Sequence, residues 1–137
     1  MYDVELSFTR NTSTGAVEQA VTAAAASTNV INLGSAGIFF RPAYLHLRVT
    51  ETFTADGAAT MGIVLQSDAA EDFGSAATLA TLYAATEGKA TFVEGLHKVI
   101  PLPPQGMEQY LRLNFTVGTG PMTAGKVVAY INDSPEL

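Results

Sequence analysis

The sequence contains no cysteine and no tryptophan. Without cysteine, disulfides cannot supplement the core, thiolates cannot hold a metal, and cysteine nucleophile chemistry is excluded. Charge is scarce at 15% of residues, and basic charge scarcer still: seven Lys and Arg stand against thirteen Asp and Glu, for a net charge of −6. The basic residues Arg10, Arg41, Arg48, Lys89, Lys98, Arg112 and Lys126 are scattered and form no stripe. Phosphate-driven binding to nucleic acid is thereby excluded. No stretch approaches the roughly 20 uninterrupted apolar residues of a membrane span. The start Met1-Tyr2-Asp3-Val4-Glu5 lacks the basic opening of a secretory signal. The chain therefore reads as made in the cytoplasm, with no membrane partner.

What is present is apolar: 47% of 137 residues are hydrophobic, enough to fold a single domain over 1–137 around one core. The apolar residues recur with a period of two. Tyr2, Val4, Leu6 and Phe8 alternate with polar neighbours, and Leu45, Leu47 and Val49 do so within 44–51. Further strands are predicted at 29–33, 58–67, 78–83, 96–102, 109–117 and 126–132, each bounded by Gly, Pro, Asn or Asp. The polar run 10–18 reads as an exposed loop, and Ala23 to Ala26 as at most a short helical turn. No helical period extends over a useful length, so parallel βαβ units are excluded and an antiparallel sandwich follows. The predicted core comprises Leu6, Phe8, Val30, Leu33, Leu45, Leu47, Val49, Ile63, Leu65, Leu82, Leu111, Leu113, Phe115, Val128 and Tyr130. Jelly roll, immunoglobulin-like sandwich and closed barrel share this pattern, and periodicity leaves them tied.

No catalytic motif emerges. The two histidines, His46 and His97, each sit in a predicted strand where alternation turns them outward, and no ligand-spacing motif surrounds either. A metal-binding enzyme barrel needs about three or four converging ligands. Asp68, Glu71 and Asp72 form the densest acidic cluster, but Ala69 and Ala70 break any calcium-loop spacing, so a solvated turn is expected. Glu87 and Glu94 flank a Gly-Lys turn, where cross-strand surface charge is expected rather than an acid–base pair. Ser35 in Leu33-Gly34-Ser35-Ala36-Gly37 is out of place for a nucleophile elbow, and Gly118-Thr119-Gly120-Pro121 lacks the following glycine of a dinucleotide turn. No enzyme, cofactor or metal is expected.

Several stretches in order carry a resemblance. They are Gln19 to Ala23 running into Ala26-Ser27-Thr28-Asn29-Val30-Ile31-Asn32-Leu33-Gly34, then Phe53-Thr54-Ala55-Asp56-Gly57-Ala58-Ala59-Thr60 and Val64-Leu65-Gln66-Ser67-Asp68. Near the end come Tyr110 to Gly120 and Thr123-Ala124-Gly125-Lys126-Val127. Together they resemble the capsid cement (decoration) proteins of tailed bacteriophages. That resemblance implies a jelly roll of about eight strands, in a virion protein on the outer capsid surface. It also implies bridging of major capsid protein subunits and a homo-oligomer, with a dimer preferred over a trimer. Competing readings are a tail or head-completion component and a receptor- or carbohydrate-binding β-sandwich, the latter weakened by the absence of tryptophan.

The sequence departs from the family pattern at Arg10 to Val17, which reads as an insertion, and at Ile38-Phe39-Phe40-Arg41-Pro42. Three large apolar residues beside an arginine, between Gly37 and Pro42, match the composition of interface hot spots, which makes Ile38, Phe39, Phe40 and Arg41 the candidate partner-binding residues. The competing role is a plug beneath the sandwich. Replacing Phe39 or Phe40 by alanine separates the two. A contact patch loses about 2 kcal/mol in association with the melting temperature nearly unchanged, whereas a plug loses about 3 to 5 kcal/mol of folding stability.

Overall fold

The computed structural model describes residues 7–10, 16–32, 43–102 and 108–132. These form β1 (Gln19–Ala20), β2 (Ala25–Ala26), β3 (Ile31–Asn32), β4 (Tyr44–Thr54), β5 (Thr60–Asp68) and β6 (Ala77–Tyr83). A 3-10 turn (Lys89–Thr91) precedes β7 (His97–Pro101), β8 (Tyr110–Gly118) and β9 (Ala124–Asn132). Alternation acts strand by strand. On β4, Leu45, Leu47 and Val49 are buried; on β5, Met61, Ile63 and Leu65; on β8, Leu111, Leu113 and Phe115. Each row occupies one face of its strand because successive side chains point to opposite sides of the pleat.

Pairing assembles the strands into two antiparallel sheets, ordered β1-β9-β4-β7 and β2-β8-β5-β6, with β3 also on β8. Ala25 lies opposite Phe115 and Ile31 opposite Leu111, so β2 and β3 are two pieces of one interrupted edge strand. Counting them as one leaves eight strand positions. From β4 to β9 the chain changes sheet at every connection except β5–β6, and this is the jelly-roll winding. The tie left by periodicity is thus resolved as the resemblance implied.

The ends and the open side of the sandwich are closed by particular residues. At one end Phe53 packs edge-on against Phe92 at 5.9 Å, and Phe92 against Tyr83 at 5.0 Å. The register shifts between Val49, Glu51 and Thr54 mark irregular pairing of β4 with β9 at that end. Gly125 (φ 143°) faces Phe53 there: a Cβ would lie 2.3 Å from the ring, so only glycine fits. On the open side, the fully buried Phe8 donates its N–H to the Ala129 carbonyl (2.9 Å) and accepts from the Asn29 N–H (2.8 Å). It thereby ties β9 in one sheet to the β2–β3 connection of the other. The Thr9 hydroxyl accepts from the Ala129 N–H at 3.1 Å and donates to the Val17 carbonyl at 2.8 Å, so buried polar groups are paired where the short β1 stops.

Three expectations change, and a fourth lies mostly outside the described residues. On β9 the buried row is Val127, Ala129 and Ile131, while Val128 and Tyr130 are half-buried on the outer face. Both faces of that strand carry apolar residues, and a one-residue choice flips them all; pairing of Leu47 with Ala129 decides it. Val30 is likewise half-buried, and Ile31 takes the core position. Ala25 and Ala26 form β2 in place of a helical turn. The strand expected at 2–8 is described only at Ser7, which bridges Tyr130, and at Phe8; Leu6 and Leu33 lie outside the described residues.

Ser67 continues the inner row of β5 and is 1% exposed, with no hydrogen-bond partner for its hydroxyl among the described residues. Desolvation of that group opposes folding. Ser67→Ala is expected to raise stability by about 1 kcal/mol, and Phe115→Ala to lower it by about 3 to 5 kcal/mol. Urea titrations followed by circular dichroism measure both, and a destabilised Ser67→Ala variant counts against the unpaired hydroxyl.

Candidate functional site

The hairpin of the second sheet, β5–β6, presents the most organised loop. The Asp68 carboxylate accepts the Ser75 N–H at 2.7 Å and the Ala70 N–H at 3.2 Å, while Asp72 accepts the Gly74 N–H at 3.0 Å. Phe73, in a left-handed conformation (φ 53°), is buried beneath the Arg112 guanidinium, 4.4 Å from the ring centre. Arg112 in turn donates Nε–H to Gln66 at 2.8 Å, across the register that pairs β8 with β5. The Asp68 carboxyl is held below its ordinary pKa, first by the Ser75 N–H and then by the Ala70 N–H. The solvated turn expected at Asp68, Glu71 and Asp72 is so for Glu71 and Asp72, which are exposed. Asp68 instead is buried and closes the loop. Its oxygens are committed to backbone donors, and among the described residues no group of three or more His, Asp or Glu could hold a metal.

This loop delivers the chain into β6, an edge strand among the described residues. Sheet edges expose unpaired N–H and C=O groups and are ordinarily blunted by shortness, charge or proline. β1, β2 and β3 are each two residues long, and β7 carries Lys98 and Pro101. β6 is longer and carries neither charge nor proline: Ala77-Thr78-Leu79-Ala80-Thr81-Leu82-Tyr83 is seven uncharged residues, paired among the described residues on one side with β5 through two register irregularities, and Ala77, Thr78 and Thr81 are exposed. Such an edge is suited to addition of another strand. Tyr83, at its end, lies 5.4 Å beneath Lys98 Nζ, and its pKa is raised by burial and by Glu87.

The outer face of the first sheet holds the two histidines. Alternation turns His46 away from Leu45 and Leu47, as expected, yet it is fully buried rather than solvated. Tyr130 stacks on one side of it (5.0 Å, 4° between planes) and His97 on the other (5.2 Å, 20°). His46 pairs with Val99 and Arg48 with His97, so the two imidazoles are diagonal neighbours across β4 and β7. His46 Nδ1 and His97 Nε2 are 3.0 Å apart. Two residues with no linking motif in the sequence are thus brought together.

Glu87 and Glu94 do not face each other across a hairpin, because β6 and β7 belong to different sheets and the segment between them is a crossover. Glu87 accepts the Thr91 hydroxyl at 2.6 Å, and the Glu94 N–H is held by the Thr52 hydroxyl at 2.8 Å. Gly118 to Pro121 likewise joins strands of different sheets, with Thr119 and Gly120 at positive φ. Ile38, Phe39, Phe40 and Arg41 lie outside the described residues, as does Ser35.

A protein-family model described as Bbp16 matches residues 15–131. No curated protein matches the sequence.

Because the charged form of Asp68 is favoured in the folded state, its contribution to stability is complete above its ordinary pKa of 3.8 and is lost as pH falls below that value. Asp68→Asn is expected to melt at a lower temperature than the parent at pH 7. The gap narrows as both are measured towards pH 2.5, an outcome scanning calorimetry reads directly.

Proposed function

The chain belongs to the Bbp16 family, and we propose that it is a structural, non-catalytic virion protein of a tailed bacteriophage that binds the outside of the capsid and stabilises it by bridging major capsid subunits. The family match over most of the chain carries this reading, since the family name points to a phage. The resemblance of the ordered sequence blocks to capsid cement proteins sharpens it to the outer shell. The jelly roll is compatible with the role: a compact domain needs only surface complementarity to span neighbouring subunits, and repetition over a lattice multiplies weak contacts into avidity.

A dimer of the chain fits the same reading, because a two-fold contact uses one self-complementary surface twice. The β6 edge is such a surface. Antiparallel pairing of two copies about Ala80 sets Leu79 against Thr81 and brings no charge opposite charge, which suits a protein of net charge −6.

Two measurements test the proposal. The purified protein is expected to co-sediment with purified capsids at a fixed, near-stoichiometric ratio; substoichiometric binding at one vertex points to a tail or head-completion role, and binding to glycan or receptor but not to capsids overturns it. Light scattering is expected to show a dimer that Thr81→Lys weakens by about tenfold or more, the effect of a charge forced into an uncharged edge.

A further inference from the structure

We infer that His46 and His97 form a proton-sensitive latch that holds the edge strand β7 against the first sheet at neutral pH and loosens it in mild acid. The observation is the contact itself: two imidazole nitrogens 3.0 Å apart, one ring fully buried, joining β4 to the outermost strand of its sheet. β7 is short, five residues, and among the described residues it pairs with β4 alone. The histidine contact adds to five backbone-paired positions with β4 and to the packing of Ile100 against the core.

At neutral pH one facing nitrogen carries a hydrogen and the other a lone pair, and the pair is a hydrogen bond. A first added proton places a charge on a ring in a desolvated stack. A second leaves two N–H groups pointing at each other with no acceptor between them. On β4, Arg48 lies opposite His97, and Glu51 is engaged by the Gly125 N–H and by Lys126 of β9. On β7, Lys98 reaches Tyr83 in the other sheet; on the preceding crossover, Glu94 is exposed. Glu18, beside β1, accepts the Thr50 hydroxyl of β4 at 2.6 Å, and Tyr44 of β4 and Tyr130 of β9 are the other titratable groups placed here among the described residues. Burial first, then His46 and Arg48, lower the pKa of His97. The neutral form is therefore preferred in the folded state. Its contribution is complete above the ordinary value of 6.5 and is lost as pH falls below it.

The chain is suited to a clean test, since it contains two histidines and no cysteine. Between about pH 5.5 and 7 no other side chain of ordinary pKa changes charge. Urea unfolding of the full chain is expected to be insensitive to pH from 7.5 to 6.5. From 6.5 to 5.5 the unfolding constant should rise, by up to about tenfold per pH unit for each proton bound in excess by the unfolded chain. Hydrogen exchange, corrected for intrinsic rates, should show β7 amides losing protection before those of β5 and β8. His97→Gln, which keeps hydrogen-bonding capacity but does not titrate, should flatten the slope. A flat parent profile, a full slope retained in His97→Gln, or simultaneous loss of protection in every strand overturns the inference. Should His97→Gln fail to fold, imidazole NMR of the parent decides: a His97 midpoint at or above 6.5 overturns the latch, and one below it supports it. None of these outcomes depends on whether the protein binds a capsid.

Discussion

Everything in this structure hangs on the meeting of two inner faces, that of β4–β9 and that of β5–β8. Each strand can bury only alternate residues, so Leu45, Leu47 and Val49 must find partners on a second sheet, and Ile63, Leu65, Leu113 and Phe115 supply them. No disulfide is available to compensate for a poor fit. The long central strands are set by this packing, and the short ones are fitted to their margins: β1 beside β9, β2 and β3 beside β8. Phe8 and Thr9 satisfy the Ala129 backbone and close the side these short strands leave open.

The same constraint distributes the surface features. Because the chain changes sheet at nearly every turn, its connections lie at the ends of the sandwich, and the β5–β6 hairpin, which stays in one sheet, carries the loop best tied down by its own side chains. The loop anchors on a β5–β8 pair through Gln66 and Arg112, with Phe73 beneath. Its hydrogen bonds set where β6 begins. The uncharged, irregularly paired edge of β6 and the charged, proline-bearing edge of β7 are different solutions to one problem, the unpaired backbone at a sheet margin.

An outer sheet face is ordinarily solvated in an antiparallel sandwich. Here the outer face of the first sheet is partly dry, since Tyr130, His46 and His97 stack along it. A burial of this kind adds area and fixes β7 laterally, but it places ionisable rings where charge is disfavoured. Stability at that margin and sensitivity to protons are two consequences of one arrangement.

The sequence by itself determined the strand-rich class, the long strands β4, β5 and β8 and their buried rows, because alternation is a local property of the pleat and is written in neighbouring residues. It also carried, through its ordered blocks, the likeness that pointed to a jelly roll. It did not determine the inward face of β9, where Val127, Val128, Ala129, Tyr130 and Ile131 offer apolar residues on both sides and only the register with β4 chooses. Nor did it reveal the aromatic cluster of Phe53, Phe92 and Tyr83, or the loop-closing task of Asp68. The histidine contact was equally hidden, for it joins residues 51 apart in the chain through the pairing of β4 with β7. Whether an edge such as β6 is free depends on which strands lie beside it. Such contacts between distant residues were decided by the tertiary structure alone, since no local period encodes which strand will lie beside which.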